Sequence, residues 1–239
     1  MNQHWEGFIE EISWFLQRDQ IVEVEASLPP GSWTAASPEF DQFFPELYGV
    51  LREAIVTPVA VAGVGYQLYT WLRRDGSRCC WLSPLASPAP PPSLHPDHSI
   101  LLRSFGGIVE RSNEPDWWIL NHNDVLTEDA ARRDGTFITD YAWAFEAASI
   151  NIPIDMEQFY AIAEEANGNI TLCHRLSGAV VLFAPDHAFD YVEPFPGCPD
   201  YTLYRLPRAL SFRDWVNTIA RQWRGWIEGT ASLDGTDEE

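Results

Sequence analysis

Apolar residues recur at a helical interval over the first sixteen positions. Trp5, Phe8, Ile9, Ile12, Phe15 and Leu16 share one face of a helix, which predicts an amphipathic element there. Ile21 to Glu25 alternates apolar and acidic residues, the pattern of a half-exposed strand. Ser37-Pro38 offers a cap and a first-turn proline for a second helix, with Phe40, Phe43, Phe44, Leu47, Tyr48 and Leu51 as its buried stripe. From Val56 to Leu82 the pattern becomes that of strands, and Asp75-Gly76 predicts a hairpin turn between Tyr66–Leu72 and Arg78–Leu82.

The second half of the chain alternates in the same way. Ser99 to Phe105 is a short apolar stretch ended by Gly106-Gly107, and Asp116 to Leu120 reads as a strand carrying Trp117 and Trp118. Thr127 can cap a short helix whose first turn holds Glu128 and Asp129. Pro153-Ile154-Asp155 is expected to open a longer helix packed through Met156, Phe159, Tyr160 and Ala163 and closed by Asn167-Gly168. Ile170 to Arg175 and Ala179 to Ala184, joined by Leu176-Ser177-Gly178, predict a hairpin, and Tyr201 to Leu206 a further strand. Ser211 with Asp214 caps a last helix whose wide stripe is Phe212, Trp215, Val216, Ile219, Ala220 and Trp223.

Short turns between strands favour antiparallel pairing. The expected fold class is therefore α+β, an antiparallel or mixed sheet with packed helices. Ser83 to Pro96, SPLASPAPPPSLHP, lacks backbone donors at its prolines and reads as a linker. It suggests an N-terminal α+β part (1–82), a proline-rich linker (83–97), a second α+β part (98–228) and an acidic tail (229–239).

Charge changes the picture of what such a fold can touch. Among 239 residues, Asp and Glu number 35 and Lys and Arg 15, a formal net charge of -20. That field repels phosphate backbones and anionic membranes, so neither nucleic acid nor membrane is the expected partner, and a basic protein is. All fifteen basic residues are Arg. Without Lys there is no P-loop, no Schiff-base enzyme and no kinase-type phosphoryl transfer. The most apolar stretch, Ile55 to Tyr66, is too short to span a bilayer and is interrupted by Pro58. The start, Met1 to Glu6, lacks the cationic and apolar run of a leader, and the expected location is cytoplasmic. Cys79, Cys80, Cys173 and Cys198 have no zinc-knuckle spacing and are expected as buried thiols.

Motifs for catalysis are sparse. Gly63-Val64-Gly65 lacks the third glycine of a dinucleotide fingerprint. His95 and His98 are set among prolines and are expected in a solvated loop, and Cys173 and His174, as strand neighbours, point to opposite faces. Glu164-Glu165, Asp186 with Asp190, and Glu114 with Asp116 are carboxylate pairs that nothing singles out. No cofactor or metal is expected. Acidic loops interleaved with aromatics stand out instead: Glu110, Glu114 and Asp116 beside Trp117 and Trp118, and Asp186, Asp190 and Glu193 beside Phe189 and Tyr191. Aromatic anchors within a charged rim suit a protein interface. One alternative is a hydrolase with a carboxylate site and an aligned His122 or His187 between the two halves. Another is a regulatory scaffold that depends on the linker and tail.

Several of these stretches together resemble the SUKH superfamily. They are the approach to Ser104-Phe105-Gly106-Gly107, Ile152-Pro153-Ile154 ahead of an expected helix with Phe159, and the Glu164–Asn169 entry to a strand. The hairpin from Leu172 to Phe183 with Gly178 at its turn, and the closing helix from Ser211-Phe212 to Trp223, complete the likeness over Pro96 to Ile227. The superfamily covers many bacterial immunity proteins and a yeast cell-wall-synthesis regulator. The resemblance implies a non-catalytic α+β protein that binds another protein, commonly a nuclease or deaminase toxin of its own lineage.

Overall fold

The computed structural model describes residues 2–115, 124–165, 167–186 and 192–230. The first helix, α1 (Gln3–Glu11), is capped by Asn2, whose Oδ1 accepts from the amides of His4 and Trp5. A 3₁₀ turn, Ser13–Phe15, follows it. Strand β1 (Val22–Val24) comes next, then the helices α2 (Phe40–Phe43) and α3 (Pro45–Glu53). The single helix expected from Ser37-Pro38 is thus two. Pro45 has no N–H to continue α2, and it occupies the first turn of α3, where none is needed.

Three strands form a meander: β2 (Ile55–Val61), β3 (Val64–Leu72) and β4 (Arg78–Pro84). Gly76 takes a positive φ of 86° in the predicted Asp75-Gly76 turn. Beyond the proline-rich crossing lie α4 (Pro96–Leu102) and β5 (Glu110–Ser112). All five strands make one antiparallel sheet in the order β1-β2-β3-β4-β5, with Trp81 of β4 opposite Arg111 of β5.

The remaining elements build a second sheet. They are α5 (Ala142–Ala147), β6 (Phe159–Glu164), β7 (Ile170–His174), β8 (Val180–Phe183), β9 (Glu193–Pro194), β10 (Leu203–Arg205) and α6 (Phe212–Glu228). Its antiparallel order is β6-β7-β8-β10-β9. The fold is α+β with two antiparallel sheets. Phe159 to Ala163, expected on a helix, is a strand with every residue buried. An unbroken apolar run satisfies both periods, and a strand buried on both faces produces such a run. Asn167-Gly168 is consequently the β6–β7 turn, with Gly168 at φ 90°.

Cores sit on both sides of each sheet. Adjacent Cys79 and Cys80 show the alternation: the first faces the central core, the second the layer under α1. In the central core the Trp71, Trp81 and Trp223 rings meet, with centroids 4.9–5.8 Å apart, so α6 from the end of the chain closes on the first sheet. Ser211 caps α6 by accepting from the amide of Asp214, and the whole expected stripe of α6 is buried. Phe159, Leu172 and Phe183 line a separate layer under α5.

The composition break at 83–97 does not coincide with a break in the core. Ser83 and Pro84 belong to β4, Leu94 is buried in the central core, and Pro96 opens α4. The exposed crossing is shorter, from Leu85 to Ser93. Val125 joins the sheets: it exchanges backbone hydrogen bonds with Ile108 (2.7 and 2.8 Å) and pairs with Ala163 of β6. This close approach requires glycine at 107, where a Cβ would lie 2.5 Å from the Val125 carbonyl oxygen.

Candidate protein-binding face

Two clusters of ionisable groups lie at the junction of the sheets. The first is built on α4. Pro96 takes the first helical position and His95 the cap, so His98 points into the core instead of standing in a solvated loop. His98 Nε2 lies 3.0 Å from the Leu126 carbonyl oxygen, so it carries the proton, and Nδ1 accepts from the Tyr160 hydroxyl at 3.2 Å. That hydroxyl also accepts from the His95 amide at 3.3 Å. Burial pushes His98 down to about 4 and the neighbouring Cys173 thiol up to about 12. Asp97 holds Arg213 through two hydrogen bonds of 2.6 and 2.8 Å. Both nitrogens of the His98 ring are thus occupied by the protein itself, and Cys173 is a buried, protonated thiol.

The second cluster surrounds β5 and the segment after Asp124. The Glu164 amide donates to the Asp124 carbonyl oxygen at 3.2 Å, which sets Asp124 beside β6. Burial pushes the Asp124 carboxyl up to about 6, and the like charges of Asp129 and Glu164 push it the same way. Arg132 engages Asp129 at 2.8 Å and Arg133 engages Glu164 at 3.2 Å; among the described residues no cation pairs with Asp124. Glu110, also raised chiefly by burial, accepts from Trp14 Nε1 at 3.1 Å through Oε1, while its Oε2 is buried without a donor. Arg111 faces the core and is itself buried, bonding Glu114 through Nε.

The acidic loops read from the sequence converge here in part. Glu110 and Glu114 flank Arg111, and the charge of Arg111 is felt by Glu165. Glu165 accepts from Asn169 Nδ2 at 3.0 Å, and the Asn169 side-chain oxygen lies 3.5 Å from the amide of Asp186. A polar chain therefore connects the starts of both loops. Glu193 is elsewhere, exposed on β9 at the far edge of the second sheet. Asp116, Trp117, Trp118, Phe189, Asp190 and Tyr191 lie outside the described residues, as do His122, His187 and the tail from 231.

No family model, curated protein or solved structure matches this chain. The SUKH likeness accordingly rests on the residues quoted for it. Of these, the hairpin with Gly178 at a positive φ of 68° and the closing helix stand where they were expected, and the helix with Phe159 does not.

Two further features of the site could not be read from local sequence. The Trp14–Glu110 contact spans 96 positions. Asp124 owes its raised carboxyl chiefly to burial, with the charges of Asp129 and of Glu164 on β6 acting the same way. Among the described residues, no group of three or more His, Cys, Asp or Glu is placed to hold a metal ion, and no helix is long and apolar enough to cross a membrane.

Proposed function

We propose that this chain is a non-catalytic binding module for a basic protein, acting as an immunity protein that covers the cleft of a cationic toxin of the nuclease or deaminase type. The observation that carries the reading is Asp124, held beside Asp129 and Glu164 with no cation paired to it among the described residues, in a chain of net charge -20. Carboxylates crowded at a surface are stabilised by a partner that brings positive charge, and the field of the whole protein speeds its approach. A toxin cleft shaped for nucleic acid supplies that charge.

The test is co-expression with the toxin domain encoded beside it, followed by binding measurements on the purified pair. Growth should be rescued, and affinity should fall by about tenfold or more between about 50 and about 300 mM salt. An acidic partner, or affinity that ignores salt, overturns the reading.

A further inference from the structure

The outer face of the first sheet ends in an aromatic lip that the acidic loops of the sequence did not announce. Trp14, on the 3₁₀ turn after α1, is 59% exposed, with its indole N–H fixed by Glu110. Next to it Phe15 packs edge-on against Tyr66 of β3, with centroids 5.7 Å apart and planes at 84°. Val64, on the same face two residues before Tyr66, is 54% exposed. Carboxylates border the lip: Asp124 and Asp129 both act on the Tyr66 hydroxyl, and Glu114 and Asp124 act on Glu110. Among the described residues, Arg132 pairs with Asp129, Arg133 with Glu164, and the buried Arg111 with Glu114 through Nε.

Each part suits the same kind of group. Aromatic ring faces attract a cation, and the guanidinium is the commonest cation found on them. The Glu110 carboxylate, tied to Trp14 through Oε1, places negative charge at the edge of the lip, where a guanidinium or ammonium is attracted. An exposed Trp in a partly apolar setting is the residue type that anchors interfaces. We infer that the lip formed by Trp14, Phe15, Tyr66 and Glu110 is the anchor point of the interface and seats an arginine or lysine side chain of the basic partner. The inference rests on the reading of the protein as a binder of basic proteins and names the part of its surface that does the holding.

The experiment titrates the full chain into a fluorescent octa-arginine peptide and follows anisotropy. Trp14→Ala and Glu110→Gln are compared with Glu23→Gln, which removes the same charge at β1, the opposite edge of the sheet. Trp14 is exposed, so its removal leaves the cores intact, and thermal midpoints confirm that each variant is folded. Wild type should bind; Trp14→Ala and Glu110→Gln should each weaken binding by about fivefold or more, and Glu23→Gln by less than about twofold. Equal affinities for the three variants overturn the lip while leaving the general reading in place. Failure of the wild type to bind the peptide overturns both.

Discussion

The cluster on α4 and the cluster on β5 both gather ionisable groups at the junction of the sheets and have received opposite treatment from the fold. Around His98 every polar atom described above has a partner within the chain: Leu126 and Tyr160 for the ring, the His95 amide for the hydroxyl, Arg213 for Asp97. Around Asp124 like charges are gathered and one buried oxygen of Glu110 is left without a donor. The first arrangement stabilises a closed junction; the second costs stability. Buried titratable groups alone therefore do not mark a functional site here. What separates the two clusters is how far their charges are compensated within the chain: fully around His98, and only in part around Asp124.

Acidification separates the two most strongly. The folded-state value of His98, about 4, lies below its ordinary 6.5, so the neutral form is the one the fold accommodates. Its contribution is complete above pH 6.5 and is lost as pH falls from there toward 4, by about 3 kcal/mol in total at about 1.4 kcal/mol per unit. Asp124 acts in the opposite sense: its carboxylate is disfavoured, so its cost is present above about pH 6 and is relieved as pH falls from there toward 3.8. Denaturant midpoints at pH 7 and pH 4.5 should show a net loss, and His98→Asn should flatten it. An unchanged acid profile in that variant would break the contrast.

Tyr160→Phe is the next largest effect. It leaves the His98 Nδ1 and the His95 amide without their partner in a buried place, at a cost of about 2 kcal/mol in urea unfolding. Asp124→Asn should do the reverse. Removing the crowded charge should raise stability at pH 7 by less than about 1 kcal/mol, because solvent screens a partly exposed group. The same variant should weaken the basic partner. In the wild type, calorimetry near pH 6 in buffers of different ionisation heat should register protons released on binding, since a cation draws the Asp124 carboxyl down. Glu193→Gln, on the exposed β9 edge, should change stability by no more than about 0.5 kcal/mol and leave affinity within about twofold.

The elements legible in the sequence are those with local punctuation. Asp75-Gly76, Gly178 and the Ser211 cap each fix a turn or helix start by backbone chemistry, and the meander, the second hairpin and α6 follow from them. Periodicity alone does not distinguish strand from helix at Phe159–Glu164, because burial on both faces erases the alternation that marks a strand. Two prolines run against the sequence expectation: Pro96, expected in a loop, starts α4, and Pro45, inside an expected single helix, divides it. Of the candidate site, Glu110 and Glu114 stand out in the sequence through the mixture of acids and aromatics. Trp14 and Tyr66 do not, since their neighbours Glu110 and Asp124 come from segments far away in sequence, and Asp124 does not because its burial is set by the tertiary fold.

The join made by β5 has a consequence for the integrity of the chain. A protease that cuts within Leu85–Ser93 severs an exposed connection, yet each fragment still holds structure the other lacks: one keeps four strands of the first sheet, the other its fifth strand and the Trp223 side chain that fills its centre. Such a nicked protein should migrate as one particle until denatured, and the two pieces made separately should recognise each other as complementary halves of a single interior.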